Sequence, residues 1–137
     1  MKKPYLIDLL ATTNFHAQAH EMCNCAYCEN FRLAFKAHPI NNNHVFKEFG
    51  FSLQGEMEIM DLFWNDTRTK RVYEVFYAIQ GELMEDGYRF ECENVVVTLF
   101  KANSPKLCYD LTKMKQPFFF LVLHVELPWL LKEPPMD

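Results

Sequence analysis

Glycine and long apolar segments are both scarce in this chain. Of its 137 residues, 4 are glycine and 13 are phenylalanine, which favours a tightly packed aromatic core with few mobile lids. The longest apolar run covers residues 117–125 and is far shorter than the roughly 18 to 20 residues of a membrane-spanning helix. We therefore interpret this run as a core segment and expect no membrane partner.

The chain also lacks a net positive charge and recognisable catalytic motifs. A net charge of -4 produces no positive field that would attract a phosphate backbone, so we expect no nucleic-acid partner. Asp8 interrupts the only run that resembles an export signal, and we expect a cytoplasmic protein. The motifs GxGxxG, GxSxG and HExxH and a Walker loop are absent, and Gln18 stands where a zinc deaminase needs glutamate.

The pattern of apolar residues predicts one domain over residues 1–137, with a frayed tail at 132–137. Residues 5–10 and 13–21 are interpreted as strands, and the second would carry His16 and His20 on its polar face. Helical spacing predicts a helix over residues 26–37 and a short helix after the Asn41 to Asn43 run, with Gly50 as its stop.

Strand patterns dominate the second half of the chain. They cover residues 57–64, 71–85, 88–101 and 118–127, and the last of these should be central because it is almost continuously apolar. Asp86-Gly87 predicts a hairpin that joins residues 71–85 to 88–101. The expected fold class is α+β, with about five or six mainly antiparallel strands and two helices in the order ββααββββ.

Three of the five cysteines lie within six residues, at Cys23, Cys25 and Cys28. In a reducing compartment, clustered thiols are more often metal ligands or redox groups than disulfide partners. The CxxC spacing of Cys25 and Cys28 suits a turn around tetrahedral zinc, and Cys23 could join them. We therefore predict a zinc site with these three thiolates as ligands, while three separately packed cysteines remain the structural alternative.

A closed zinc site needs a fourth ligand, for which His20 is the nearest candidate. His16 and His20 would lie roughly 13 Å apart on one extended strand, so they cannot both bind the same ion there. The open alternatives for the fourth position, besides a water molecule, are His16, His44, His124 and Cys92.

The motif CxCxYCxNF, from Cys23 to Phe31, resembles that of a group of small bacterial proteins of uncharacterised function. The resemblance covers the segment before the motif, the motif and the start of the following helix. It implies that the cysteine cluster is a unit, and it carries no activity and no catalytic residues.

These observations favour a binding or interaction module whose cysteine cluster fastens a strand to a helix through zinc. The alternative is a thiol- or metal-dependent enzyme, or a metal-handling protein, that uses the same cysteines. A homodimer formed through exposed strand edges, or an unidentified protein partner, also stays open.

Overall fold

A computed structural model describes residues 3–17, 25–50, 56–105 and 114–134. These residues form six strands, three α-helices and one 3-10 turn. The bounds are β1 Tyr5–Ile7, α1 Leu9–Ala17, α2 Ala26–Phe35, the 3-10 turn Pro39–Asn42, α3 His44–Lys47, β2 Glu58–Trp64, β3 Arg71–Leu83, β4 Tyr88–Cys92, β5 Val95–Lys101 and β6 Phe118–Leu127.

The six strands form one antiparallel sheet in the order β1-β3-β6-β5-β4, with β2 also paired to β3. One side of β3 pairs with β6 from Arg71 to Gln80. Its other side pairs with β2 near its start and with β1 near its end. The predicted α+β class, antiparallel sheet and strand number are confirmed. The predicted central place of the 118–127 segment is also confirmed, because β6 lies between β3 and β5.

The core lies between α2 and one face of the sheet. The helix inserts the fully buried rings of Phe31 and Phe35, which stack with centroids 4.9 Å apart. Alternate residues of β3 and β6 supply the opposite wall, since strand side chains on one face recur every second residue. The helix predicted over 26–37 is confirmed by α2, and Gly50, with φ 73°, lies in the turn that follows α3.

The strand predicted over residues 13–21 is wrong, because residues up to Ala17 belong to helix α1. This helix covers the part of the β3 edge that lies between β1 and β2. Gln80 N donates to Thr12 Oγ1 at 3.0 Å, and His16 Nε2 is 2.8 Å from the carbonyl oxygen of Ala78. Thr12 and His16 are four residues apart, so they share one helix face, and both are buried.

The predicted hairpin at Asp86-Gly87 is also wrong in its partner strands. Gly87 has the expected positive φ of 80°, but β3 pairs with β6 and β4 pairs with β5. The tight hairpin instead joins Cys92 to Val95 through Glu93 and Asn94, whose φ angles are 53° and 64°. Two central residues with positive φ are the mark of a type I′ turn.

The Glu93-Asn94 turn leads to a stability prediction. Glutamate is a poor residue at positive φ, whereas asparagine is tolerated there, so Glu93→Asn should stabilise the fold by roughly 0.5–1 kcal/mol. Asn94→Val should have the opposite effect, because a β-branched side chain resists this backbone conformation. Urea midpoints of the two variants would check the prediction, and equal midpoints would contradict it.

The close approach of β1 to β3 depends on a glycine. Gly81 in β3 has a φ of 151°, and a Cβ atom there would lie 2.0 Å from the carbonyl oxygen of Leu6, so only glycine lets β1 approach this closely.

Of the predicted frayed tail, residues 132–134 carry no regular secondary structure and residues 135–137 lie outside the described part.

Candidate functional site

Two of the predicted cysteine ligands lie at the start of α2. Cys25 is the N-cap residue and has extended backbone angles, and its carbonyl oxygen accepts the hydrogen bond of Glu29 N at 3.0 Å. Cys28 lies in the first turn of the helix. Cys25 is exposed and Cys28 is buried, at 5% exposure. Both line one cleft of about 390 Å³, whose other lining residues are Tyr27, Ile59, Asp61, Leu62 and Arg71.

A buried ion pair forms part of the wall of this cleft. The Arg71 side chain is 1% exposed; its Nε donates to Asp61 Oδ1 at 3.1 Å and its Nη2 donates to Asp61 Oδ2. The guanidinium carbon lies 5.0 Å from the ring centroid of Trp64 and 5.7 Å from that of Tyr27. The two hydrogen bonds and the two aromatic rings hold the guanidinium in a fixed orientation.

A β-bulge in β2 produces this arrangement. Asp61 pairs with Tyr73, Phe63 pairs with Val72 and Trp64 pairs with Arg71, which leaves Leu62 as the extra residue. In a regular strand without a bulge, Asp61 and Trp64 are three residues apart and would point to opposite faces of the sheet. The bulge therefore brings both of them to the face on which Arg71 lies.

Asn30 of the CxCxYCxNF motif attaches α2 to the rest of the protein. Asn30 is fully buried; its Nδ2 donates to Tyr73 Oη at 3.0 Å and to the carbonyl oxygen of Pro128 at 3.1 Å, and its Oδ1 accepts from Leu130 N at 2.7 Å. Burial raises the pKa of Tyr73 to about 12, so its hydroxyl stays neutral and donates to the carbonyl oxygen of Tyr27. Asn30 therefore links α2 to β3 and to the segment after β6.

The other two predicted zinc ligands, His20 and Cys23, lie outside the described residues, as does Cys108. Within the described ranges, no three metal-ligating side chains come together. The structure therefore places Cys25 and Cys28 in one cleft, and the complete predicted ligand set stays a prediction.

The alternative candidates for the fourth zinc ligand all lie within the described residues. His16 lies on a helix rather than a strand, so the 13 Å separation from His20 no longer applies. A carbonyl oxygen only accepts hydrogen bonds, so the Nε2 of His16 carries a proton toward Ala78 and is occupied in that bond. His44 is exposed on α3. His124 lies 3.6 Å from Glu74, which is its register partner in β3.

Cys92 and His124 are both badly placed for a site at Cys28. β3 directs Arg71 and Tyr73 toward α2, and Glu74 and its partner His124 therefore belong to the other face of the sheet. Cys92 lies on the edge strand β4, which β6 and β5 separate from the β3 residue Arg71 of the cleft. Cys92 is partly buried, and burial raises the pKa of its thiol.

Sequence reasoning missed Arg71, Asp61 and Asn30. Arg71 follows Arg68 and Lys70, and basic residues grouped in this way are usually solvated. A possible signal was the aspartate inside the otherwise apolar run from Ile59 to Trp64, since a buried carboxylate needs a charged partner. Asn30 gave no signal, because its three partners are distant in the sequence.

Comparison with known proteins found no match: no family model fits the chain, and neither a curated protein nor a solved structure is significantly similar to it. Among the helices of the described residues, none has the length and apolar character required to cross a bilayer.

Proposed function

We propose that this protein is a small binding module that holds a soft metal ion, Zn²⁺, at the start of α2 through Cys25, Cys28 and Cys23. The observation that carries the proposal is that Cys25 and Cys28 occupy the N-cap and the first turn of one helix and line the same cleft. Residues three apart at this position have Cβ atoms about 5–6 Å apart. Rotation of the two side chains can therefore bring their sulfur atoms to one ion.

The electrostatics of the cleft support thiolate ligands. The start of a helix carries partial positive charge, and both Cys25 and Cys28 lie at the start of α2. The Arg71 guanidinium lines the same cleft. Three thiolates around Zn²⁺ leave one net negative charge, which the start of α2 would stabilise. The Arg71 charge is already balanced by Asp61.

The packing supports a binding role for the ion rather than a role as the main fastening of α2. Asn30 and the buried rings of Phe31 and Phe35 already attach this helix to the sheet. Cys25 is exposed, so an ion bound there would be open to exchange with other molecules. We also propose a reducing, cytoplasmic setting, because oxidation would remove the thiolate ligands.

Metal analysis of the protein purified without added metal tests this proposal. We expect about one zinc ion per chain in the wild type, and a loss of most of it in Cys25→Ser and Cys28→Ser. Cys92→Ser is the matched control, since Cys92 lies away from the cleft and should leave the zinc content unchanged. Zinc-free wild-type protein, or equal zinc in all variants, would refute the proposal.

A second candidate function is thiol–disulfide chemistry at the same two cysteines, favoured by the contrast between exposed Cys25 and buried Cys28. An accessible thiol that attacks and a protected thiol that resolves are what such chemistry requires. Titration with a thiol reagent separates the two functions. Chelation should raise the number of reactive thiols if zinc is bound, whereas a metal-free dithiol would react at once.

A further inference from the structure

Strand β4 lies at one end of the sheet, and one of its edges has no partner among the described residues. The strand order places β5 on one side of Tyr88–Cys92 and no described strand on the other. Within this strand Arg89 and Glu91 are exposed, and the other three residues are partly buried. The unpaired backbone groups of an edge strand can pair with a strand of another chain.

The backbone groups at this open edge belong to Arg89 and Glu91. The carbonyl oxygen of Leu99 accepts from Gly87 N, so the backbone of Leu99 points toward β4, where Tyr88 is its register partner. Successive residues of a strand direct their N–H and C=O groups to opposite edges. The even-numbered residues of β4 therefore bond to β5, and Arg89 and Glu91 present their backbone groups to the open edge.

The charged side chains of β4 favour one pairing partner, a second copy of the same strand. Arg89 and Glu91 lie symmetrically about Phe90, and neither forms an ion pair within the described ranges. In an antiparallel pair centred on Phe90, Arg89 of each copy lies opposite Glu91 of the other, and facing opposite charges stabilise paired strands. A pair centred on either neighbour would instead place two arginines or two glutamates opposite each other, which is destabilising.

The other face of β4 also suits this pairing. Tyr88, Phe90 and Cys92 pack against the core cluster and stay partly exposed. In the register centred on Phe90, the Phe90 rings of the two copies face each other at a non-hydrogen-bonded position, where side chains lie closest. Aromatic pairs across strands stabilise a sheet. Tyr88 of each copy lies opposite Cys92 of the other, so this face of the interface also excludes charge.

From these observations we infer that the protein forms a symmetric homodimer through the open edge of β4, centred on Phe90 and held in register by Arg89 and Glu91. Charged residues on an edge strand often prevent pairing. Here their order along the strand makes a second copy the complementary partner, and the two sheets join into one. The interface is separate from the cysteine cleft, because β5 and β6 lie between β4 and β3.

Sedimentation of the full-length protein over a series of concentrations tests this inference. We expect the wild type to dimerise as its concentration rises. Arg89→Glu and Glu91→Arg should each weaken dimerisation at least about tenfold, because each places like charges opposite one another. An equimolar mixture of the two variants should recover dimers, since one copy then carries two acidic side chains and the other two basic ones. Glu58→Arg, on the exposed surface of β2, is the matched control and should leave dimerisation unchanged.

Three results would overturn the inference: a wild type that stays monomeric at every concentration, charge reversals that do not weaken the dimer, or a mixture that does not recover it. If a charge-reversal variant does not fold, amide hydrogen exchange of the wild type replaces it. The amides of Arg89 and Glu91 should become more protected as the protein concentration rises. Exchange that is independent of concentration at both amides would exclude this interface.

Discussion

Asp61→Ala should destabilise the protein by about 3–5 kcal/mol, because it leaves the buried Arg71 guanidinium without its counter-charge. The Asp61 side chain is 10% exposed and that of Arg71 is 1% exposed, so the pair is largely removed from water. Urea unfolding followed by far-UV circular dichroism would measure the loss. Asp66→Ala is the matched control, since Asp66 is exposed in the loop after β2 and should change stability by less than about 0.5 kcal/mol.

The double variant Asp61→Leu with Arg71→Met separates the effect of an uncompensated charge from the effect of lost packing. Apolar residues of similar size often replace a buried ion pair without loss, so the double variant should recover most of the stability that Asp61→Ala loses. If Asp61→Ala is as stable as the wild type, the pair is not desolvated and Arg71 does not hold a fixed place in the cleft. Equal losses in the single and double variants would point to packing instead of charge.

The elements with a strong local signal could be predicted from the sequence. The helix at α2 has its aromatic residues Tyr27, Phe31 and Phe35 at helical spacing, and it folds over almost the predicted range. The long apolar run at β6 indicated a strand that is covered on both faces, and it became the centre of the sheet. In both elements, the local pattern of apolar residues matches the side chains that the fold buries.

The errors arose where distant partners decide the structure. Residues 13–21 alternate between small or apolar and polar side chains, which suits a strand, but Thr12 and His16 also lie on one face of a helix. Their contacts with Gln80 and Ala78, 68 and 62 residues away, favour the helix. The hairpin was misplaced for a similar reason, because β6 lies between β3 and β5 and prevents β3 from pairing with β4.

The candidate site was predictable only in its cysteines. The spacing of Cys25 and Cys28 indicated a shared site at the start of a helix, and the cleft contains both. The charged wall was not predictable, because it depends on the bulge at Leu62 and on the register between β2 and β3. A bulge of this kind shifts side chains from one face to the other, and the alternation of residues in the strand does not reveal it.

Asn30→Ala should destabilise the protein by about 2–4 kcal/mol, because one truncation removes the partner of the buried Tyr73 hydroxyl and of two partly buried backbone groups. The Asn30 side chain bonds to Tyr73 Oη, to the carbonyl oxygen of Pro128 and to Leu130 N. Denaturant unfolding would measure the change in free energy. Asn42→Ala is the control, since Asn42 is exposed at the end of the 3-10 turn and its replacement should change stability by less than about 0.5 kcal/mol.

The same variant tests whether Asn30, rather than a metal ion, attaches α2 to the sheet. If Asn30 is the main attachment, amide hydrogen exchange in α2 should speed up in Asn30→Ala even when the protein is saturated with zinc, because Leu130 N and Pro128 no longer restrain the helix. Chelation of the wild type should then leave most of the exchange protection in place. The reverse pattern, with protection lost on chelation and kept in Asn30→Ala, would show that the cysteine cluster is what fastens this helix.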